Sequence, residues 1–153
     1  MDRIMDSVSR VQVPNAILLG EVSRLLDEGK DVILMTKGCS MLPFIRGERD
    51  SVNLRKLDVL EVGDIVLARV KEDVYVLHRV FSVDGDAVTL MGDGNLKGKE
   101  RCRRADICGT AIEILREGGK VVDCRGRKAL ALARIWRFLL PLRRYMLAVY
   151  RRL

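Results

Sequence analysis

Residues 74–91 read VYVLHRVFSVDGDAVTLM, and this stretch decides the fold class. Two runs rich in Val and Leu, Val74–Val83 and Ala87–Met91, flank Asp84-Gly85-Asp86. Apolar β-branched runs joined by a short Asp/Gly connection predict a hairpin. Working outward, Val32–Met35, Ser51–Leu54, Asp64–Val70 and Thr110–Leu115 have the same character, and Glu117-Gly118-Gly119 reads as a further turn. Short strands at close spacing, without helices between them, predict an antiparallel or mixed β body from Val32 to Cys124. Helical spacing brackets that body. Over residues 15–29, Asn15 stands as N-cap, Ile17, Leu18, Val22, Leu25 and Leu26 recur on one face, and Gly29 is the stop. The expectation is a mainly β, α+β chain in three parts: a helical segment over 1–30, a β domain over 31–124 and a basic amphipathic helix over 125–153.

At 153 residues with 48% hydrophobic content, the chain is large enough for one domain with a proper core. Its net charge of +7 is unevenly placed. Residues 125–153 hold nine Arg/Lys and no acid, which leaves 19 basic and 21 acidic residues in the first 124. In that tail Leu132, Ile135, Trp136, Leu139, Leu142, Met146, Val149, Tyr150 and Leu153 fall on one side of a helix. Arg134, Arg137, Arg144 and Arg151 fall on the other, and Pro141 kinks the helix or opens a second one. Two readings follow: a helix covering the body or a dimer face, and an interfacial helix on anionic lipid with Trp136 and Tyr150 at the boundary. Because the body is slightly acidic, nucleic acid is not an expected partner.

Cys39, Cys102, Cys108 and Cys124 form no C-x-x-C pair, so neither zinc nor another cofactor is expected. Ile17-Leu18-Leu19 is interrupted by Gly20 and Glu21, too short for a signal peptide or spanning helix. The expectation is a cytoplasmic chain with reduced thiols, peripheral at the inner membrane face if the tail meets lipid.

The residues that carry chemistry are Ser40, within Gly38-Cys39-Ser40-Met41-Leu42-Pro43, and the single histidine, His78. A hydroxyl on a turn beside a strand can serve as a nucleophile if a base removes its proton, and His78 is the base suited to neutral pH. His78 shares a strand face with Val76 and Val80, so it also reads as a core histidine satisfied by a carbonyl. Asp93, in Met91-Gly92-Asp93-Gly94-Asn95, is either a turn aspartate bonded to its own backbone or a carboxylate that orients the imidazole. Cys39 is a rival nucleophile.

These segments, with Val62-Gly63-Asp64-Ile65-Val66, His78-Arg79-Val80 and Ile107-Cys108-Gly109, occur in the order seen in type I signal peptidases. The chain most resembles the histidine-type branch of archaea, the endoplasmic reticulum and some spore-forming bacteria, in a superfamily that includes the self-cleaving SOS (LexA-like) repressors. The resemblance spans roughly residues 32–115. It implies that fold and a serine endopeptidase acting on an extended leader or precursor peptide. Ser40 would be the nucleophile, His78 the general base and Asp93 the orienting carboxylate, with Glu100 and Asp106 as substitutes. Gly38, Met41 and Pro43 would shape the substrate groove and hold the Ser40 turn, and the N–H of Ser40 and its neighbours would form the oxyanion site. The Cys39 side chain would point away from the base. The family's membrane anchor and the repressors' DNA-binding domain are not expected here. The alternative is a peptide-binding or membrane-surface adaptor of the same fold that does not cut.

Overall fold

In a computed structural model, which describes residues 15–152, the chain is mainly β with helices at both ends. Helix α1 (Asn15–Asp27) precedes eight strands. These are β1 (Val32–Met35), β2 (Ser51–Arg55), β3 (Ile65–Lys71), β4 (Val74–Asp84), β5 (Ala87–Met91), β6 (Glu100–Arg103), β7 (Ile107–Leu115) and β8 (Val121–Asp123). They form one antiparallel sheet in the order β1-β2-β7-β3-β4-β5-β6, with β8 on β7. The hairpin expected over 74–91 is present, turning at Gly85 (φ 60°) between the Asp84–Ala87 pair. β6 and β8 were not foreseen, and β7 begins three residues before the expected Thr110. Gly29 ends α1 as expected, with φ 83° and its N–H on the Leu26 carbonyl. The capping role expected of the Asn15 side chain, and everything before it, lies outside the described residues.

Adjacent strand residues point to opposite faces, and β3 uses this to serve two cores. Leu67 and Ile65 face one core, with Val52, Leu54, Ala111 and Ile114 from the sheet, Val22 and Leu26 from α1, and Met41 and Ile45 from the β1–β2 connection. Val66 and Ala68 face the other, with Val80, Val88 and Leu90. α1 sits close on the sheet because residue 109 is a glycine: a Cβ there would lie 2.9 Å from Leu26 Cδ1.

The β1–β2 connection, residues 36–50, is the long irregular segment of the body. Its ends are tied by Thr36, whose N–H and hydroxyl both donate to the Asp50 carbonyl, at 3.1 and 2.7 Å. Gly47 crosses Gly38 so closely that a Cβ would stand 2.1 Å from the Gly38 carbonyl oxygen. The Asp50 carboxylate is fully buried and accepts the Arg46 N–H at 2.8 Å and Arg116 Nη1 at 2.7 Å. Arg116 Nη1 also donates to the Phe44 carbonyl at 2.6 Å. Burial pushes the Asp50 carboxyl up, but the Arg46 amide and the Arg116 guanidinium outweigh it and hold the group below its ordinary 3.8. A carboxylate depressed on folding adds stability above its unfolded pKa, and that stability is lost as pH falls through the folded value. Wild-type urea midpoints are therefore expected to fall as the pH drops below about 4. Asp50→Asn is expected to lose about 3 kcal/mol at neutral pH, through the buried partner left uncompensated, and to lose part of that acid sensitivity.

The C-terminal segment is two helices, α2 (Arg127–Phe138) and α3 (Arg143–Arg152), joined by a 3-10 turn at Leu140–Leu142 around Pro141. The break expected at Pro141 is present, but the face turned to the body differs from the expected apolar side. Ala133, Trp136, Arg143 and Leu147 are buried, while Ile135, Leu142, Met146 and Val149 are exposed and Phe138 is 85% exposed. Trp136, placed at a lipid boundary in the second of the two readings of this tail, is fixed inward because its indole N–H donates to the Asp93 carbonyl at 2.9 Å. No helix among the described residues is long and apolar enough to cross a membrane.

Candidate active site

Ser40 sits in the middle of the 36–50 connection, in a turn where Gly38 has φ 75°, a backbone conformation that favours glycine. The turn is held by its own backbone. Leu42 N–H donates to the Cys39 carbonyl, and the Phe44 and Ile45 N–H groups both reach the Met41 carbonyl. Met41 is buried in the first core and anchors the turn to the sheet.

The Gly92-Asp93-Gly94 segment supports this turn from beneath. Gly94 N–H donates to the Ser40 carbonyl at 2.8 Å, and Asp93 N–H lies 3.5 Å from Met41 Sδ. A Cβ on Gly92 would stand 2.4 Å from the Ser40 carbonyl oxygen, and one on Gly94 would stand 2.4 Å from that of Cys39. Both glycines are therefore needed for close backbone approach rather than for a positive φ. The Asp93 side chain points elsewhere. It is buried and forms a bidentate pair with Arg79, with Nε–Oδ1 at 2.9 Å and Nη2–Oδ2 at 2.7 Å. Arg79 Nη1 donates to the Gly63 carbonyl at 2.8 Å, which links the Val62-Gly63-Asp64 turn to the same assembly.

His78 lies on β4 and is buried, 7% exposed. β5 ends at Met91, opposite Arg79, so His78 is one residue beyond that ladder. Its ring is thereby free to meet the first residue of β6: His78 Nδ1 and Glu100 Oε1 are 2.5 Å apart. The expected carboxylate, Asp93, is thus engaged by Arg79, and the substitute Glu100 stands on the imidazole. Asp106, the other substitute, caps the 3-10 turn at Arg104–Asp106 by accepting the Arg103 N–H at 2.9 Å.

Ser40 and His78 line one cavity of about 250 Å³. Gly38 and Met41 line it too, whereas Pro43 and Cys39 do not. Its remaining walls are mostly apolar: Leu18 and Leu19 of α1, Leu34 and Met35 of β1, and Tyr75, Val76 and Leu77 of β4. Two strand edges border it. Among the described residues β1 pairs only with β2, and the first part of β4 pairs only with β3. Pro43 follows a cis peptide bond in the same turn.

The thiols differ sharply in setting. Cys39 is exposed, while Cys108 and Cys124 are buried and Cys102 is half-buried. Burial pushes Cys102 up to about 11 and Cys124 up to about 12, and it raises Cys108 as well. The contact of Glu100 with His78 was within reach of the sequence only through its position a few residues past the Gly-Asp segment. Neither the protein-family models nor the curated proteins searched give a match to this chain.

Proposed function

We propose that the protein is a serine peptidase of signal-peptidase-like type, with Ser40 as nucleophile, His78 as general base and Glu100 as the carboxylate that orients the imidazole. One observation carries the reading: Ser40 and His78 border the same cavity while the ring's Nδ1 is engaged by Glu100. A carboxylate on Nδ1 keeps the proton there and leaves Nε2 as the ring's acceptor. Ser40 Oγ passes its proton to Nε2 as it attacks a peptide carbonyl, and the tetrahedral oxyanion takes a hydrogen bond from the Ser40 N–H and its neighbours. His78 then returns the proton to the departing amine, leaving an ester on Ser40. Water, deprotonated by the same ring, releases the acid and restores the serine.

The edge of β1 that no described strand covers runs directly into the connection that carries Ser40, and the first part of β4 also borders the cavity. An extended peptide adding to such an edge gains main-chain hydrogen bonds, with alternate side chains entering apolar pockets. The ordered motifs that resemble the histidine-type signal peptidases point to the same substrate class, a leader or precursor segment.

A fluorophosphonate probe tests the assignment without knowledge of the substrate. The expected result is one adduct per chain, located at Ser40 by peptide mass spectrometry and lost in Ser40→Ala. A folded wild-type chain that takes up no probe under forcing conditions would instead favour a peptide-binding module that does not cut.

A further inference from the structure

A second cavity, of about 330 Å³, lies between the β4–β5 ladder, the Val62-Gly63 turn and helices α2 and α3. It shares no lining residue with the cavity at Ser40. Four arginines line it, Arg79, Arg134, Arg137 and Arg143, against one carboxylate, Asp93. That carboxylate is already held bidentately by Arg79. Among the described residues, Arg134, Arg137 and Arg143 have no carboxylate within ion-pair distance. The walls therefore carry three cations that no described carboxylate pairs directly, with Asp93 acting on Arg143 only from beyond ion-pair distance.

Arg143 is the decisive member. It is only 3% exposed, yet its guanidinium meets no carboxylate among the described residues. It donates to the Asn95 carbonyl at 3.0 Å, with longer contacts of 3.4 Å to the Gly92 and Trp136 carbonyls, and lies 5.2 Å from the Trp136 ring centroid. Its Nε is buried with no hydrogen-bond partner among the described residues. Burial pushes this guanidinium below its ordinary 12.5, against the pull of Asp93. Buried charges in native proteins are paired, and a buried donor without a partner is a place where an ordered water or a bound ion is expected. Apart from the arginines the lining is largely apolar, with Phe81, Met91 and Trp136 among it, and Arg137 stacks on the Phe81 ring at 4.2 Å. The volume falls at the lower end of small-molecule pockets, roughly 300–1,000 Å³.

The geometry points to an anion-binding site in this cavity, taking a phosphate group, free or as a lipid headgroup, on Arg143, Arg134 and Arg137. Guanidinium forks match phosphate oxygens two at a time, and three uncompensated cations favour a multiply charged anion over a lone carboxylate.

The test uses the full chain and two probes. Inorganic phosphate is titrated calorimetrically against sodium chloride of equal ionic strength. Flotation is measured with phosphatidylcholine vesicles that contain or lack phosphatidic acid. Saturable binding of inorganic phosphate, weakened at least about tenfold in Arg143→Gln, identifies a free phosphate ligand. Arg134→Gln changes an exposed residue and is expected to weaken binding several-fold, so the test survives if Arg143→Gln does not fold. Recruitment to phosphatidic acid vesicles that is lost in Arg134→Gln, with little response to inorganic phosphate, identifies a headgroup. No response to either probe beyond that of chloride overturns the assignment, as does an equal response in the wild type and both variants.

Discussion

His78→Ala and Ser40→Ala are each expected to slow phosphonylation by a fluorophosphonate, or acylation by an activated ester, by at least about 10⁴-fold, with the fold retained. The magnitude follows from the way these groups act. A serine hydroxyl without a base is a weak nucleophile, and an imidazole without the hydroxyl has nothing to deprotonate. Groups that act as a unit are not additive, so the double variant is expected to react no more slowly than either single one. Retention of the fold by Ser40→Ala follows from the turn's construction. The turn is held through the Ser40 carbonyl, which accepts the Gly94 N–H, and through buried Met41. The measurement is the pseudo-first-order labelling rate, read alongside circular dichroism and a thermal melt. Labelling that continues at wild-type rate in Ser40→Ala, at Cys39 or elsewhere, would remove Ser40 from the mechanism.

The second large effect separates Glu100 from Asp93. Glu100→Gln is expected to cost about 10²–10⁴-fold in labelling rate, because an amide can present the wrong group to Nδ1 and stabilise the wrong tautomer. Its effect on stability should stay within about 1 kcal/mol, since the Glu100 side chain is 26% exposed. Asp93→Asn is expected to act in the opposite sense. It leaves the Arg79 guanidinium, 11% exposed, without its carboxylate, and breaking a buried pair costs roughly 3–5 kcal/mol. Any loss of rate in Asp93→Asn should then follow the unfolded fraction and recover under stabilising conditions. Urea melts together with the pH dependence of labelling distinguish the two. A rate loss confined to Asp93→Asn, with Glu100→Gln unchanged, would restore Asp93 as the orienting residue.

The difference between these two carboxylates shows what the sequence could not supply. Asp93 has the position between glycines that marks a turn, and nothing in its spacing shows that Arg79 reaches it first. Glu100 becomes the imidazole's partner because β5 stops opposite Arg79, one residue short of His78. Strand termination of that kind depends on tertiary packing rather than on local pattern. The central strands were legible because Val, Ile and Leu alternate or cluster there, as at Val80, Val88 and Leu90. β6 was not, since Glu100-Arg101-Cys102-Arg103 is mostly charged, as suits a strand at a sheet edge. β8, three residues long, offers too little periodicity to read.

The C-terminal helices show the same limit differently. Helical spacing located an apolar side, but docking is decided by two hydrogen-bonding side chains, Trp136 on the Asp93 carbonyl and Arg143 on the Asn95 carbonyl. Much of the apolar side is therefore left outward. The association of Ser40 with His78 was suggested by their order in the chain, whereas the shared cavity required the three-dimensional arrangement.

The unequal settings of the four cysteines give the native chain a spectroscopic handle. Cys39 is the exposed thiol and neighbours Ser40, while burial raises the other three above their ordinary values. Brief maleimide treatment near neutral pH should thus place a single fluorophore or spin label beside the serine without engineered substitutions. Because the Cys39 carbonyl abuts Gly94, such a reporter would register movement of the supporting glycine segment, and arrival of the peptide proposed as substrate, in real time.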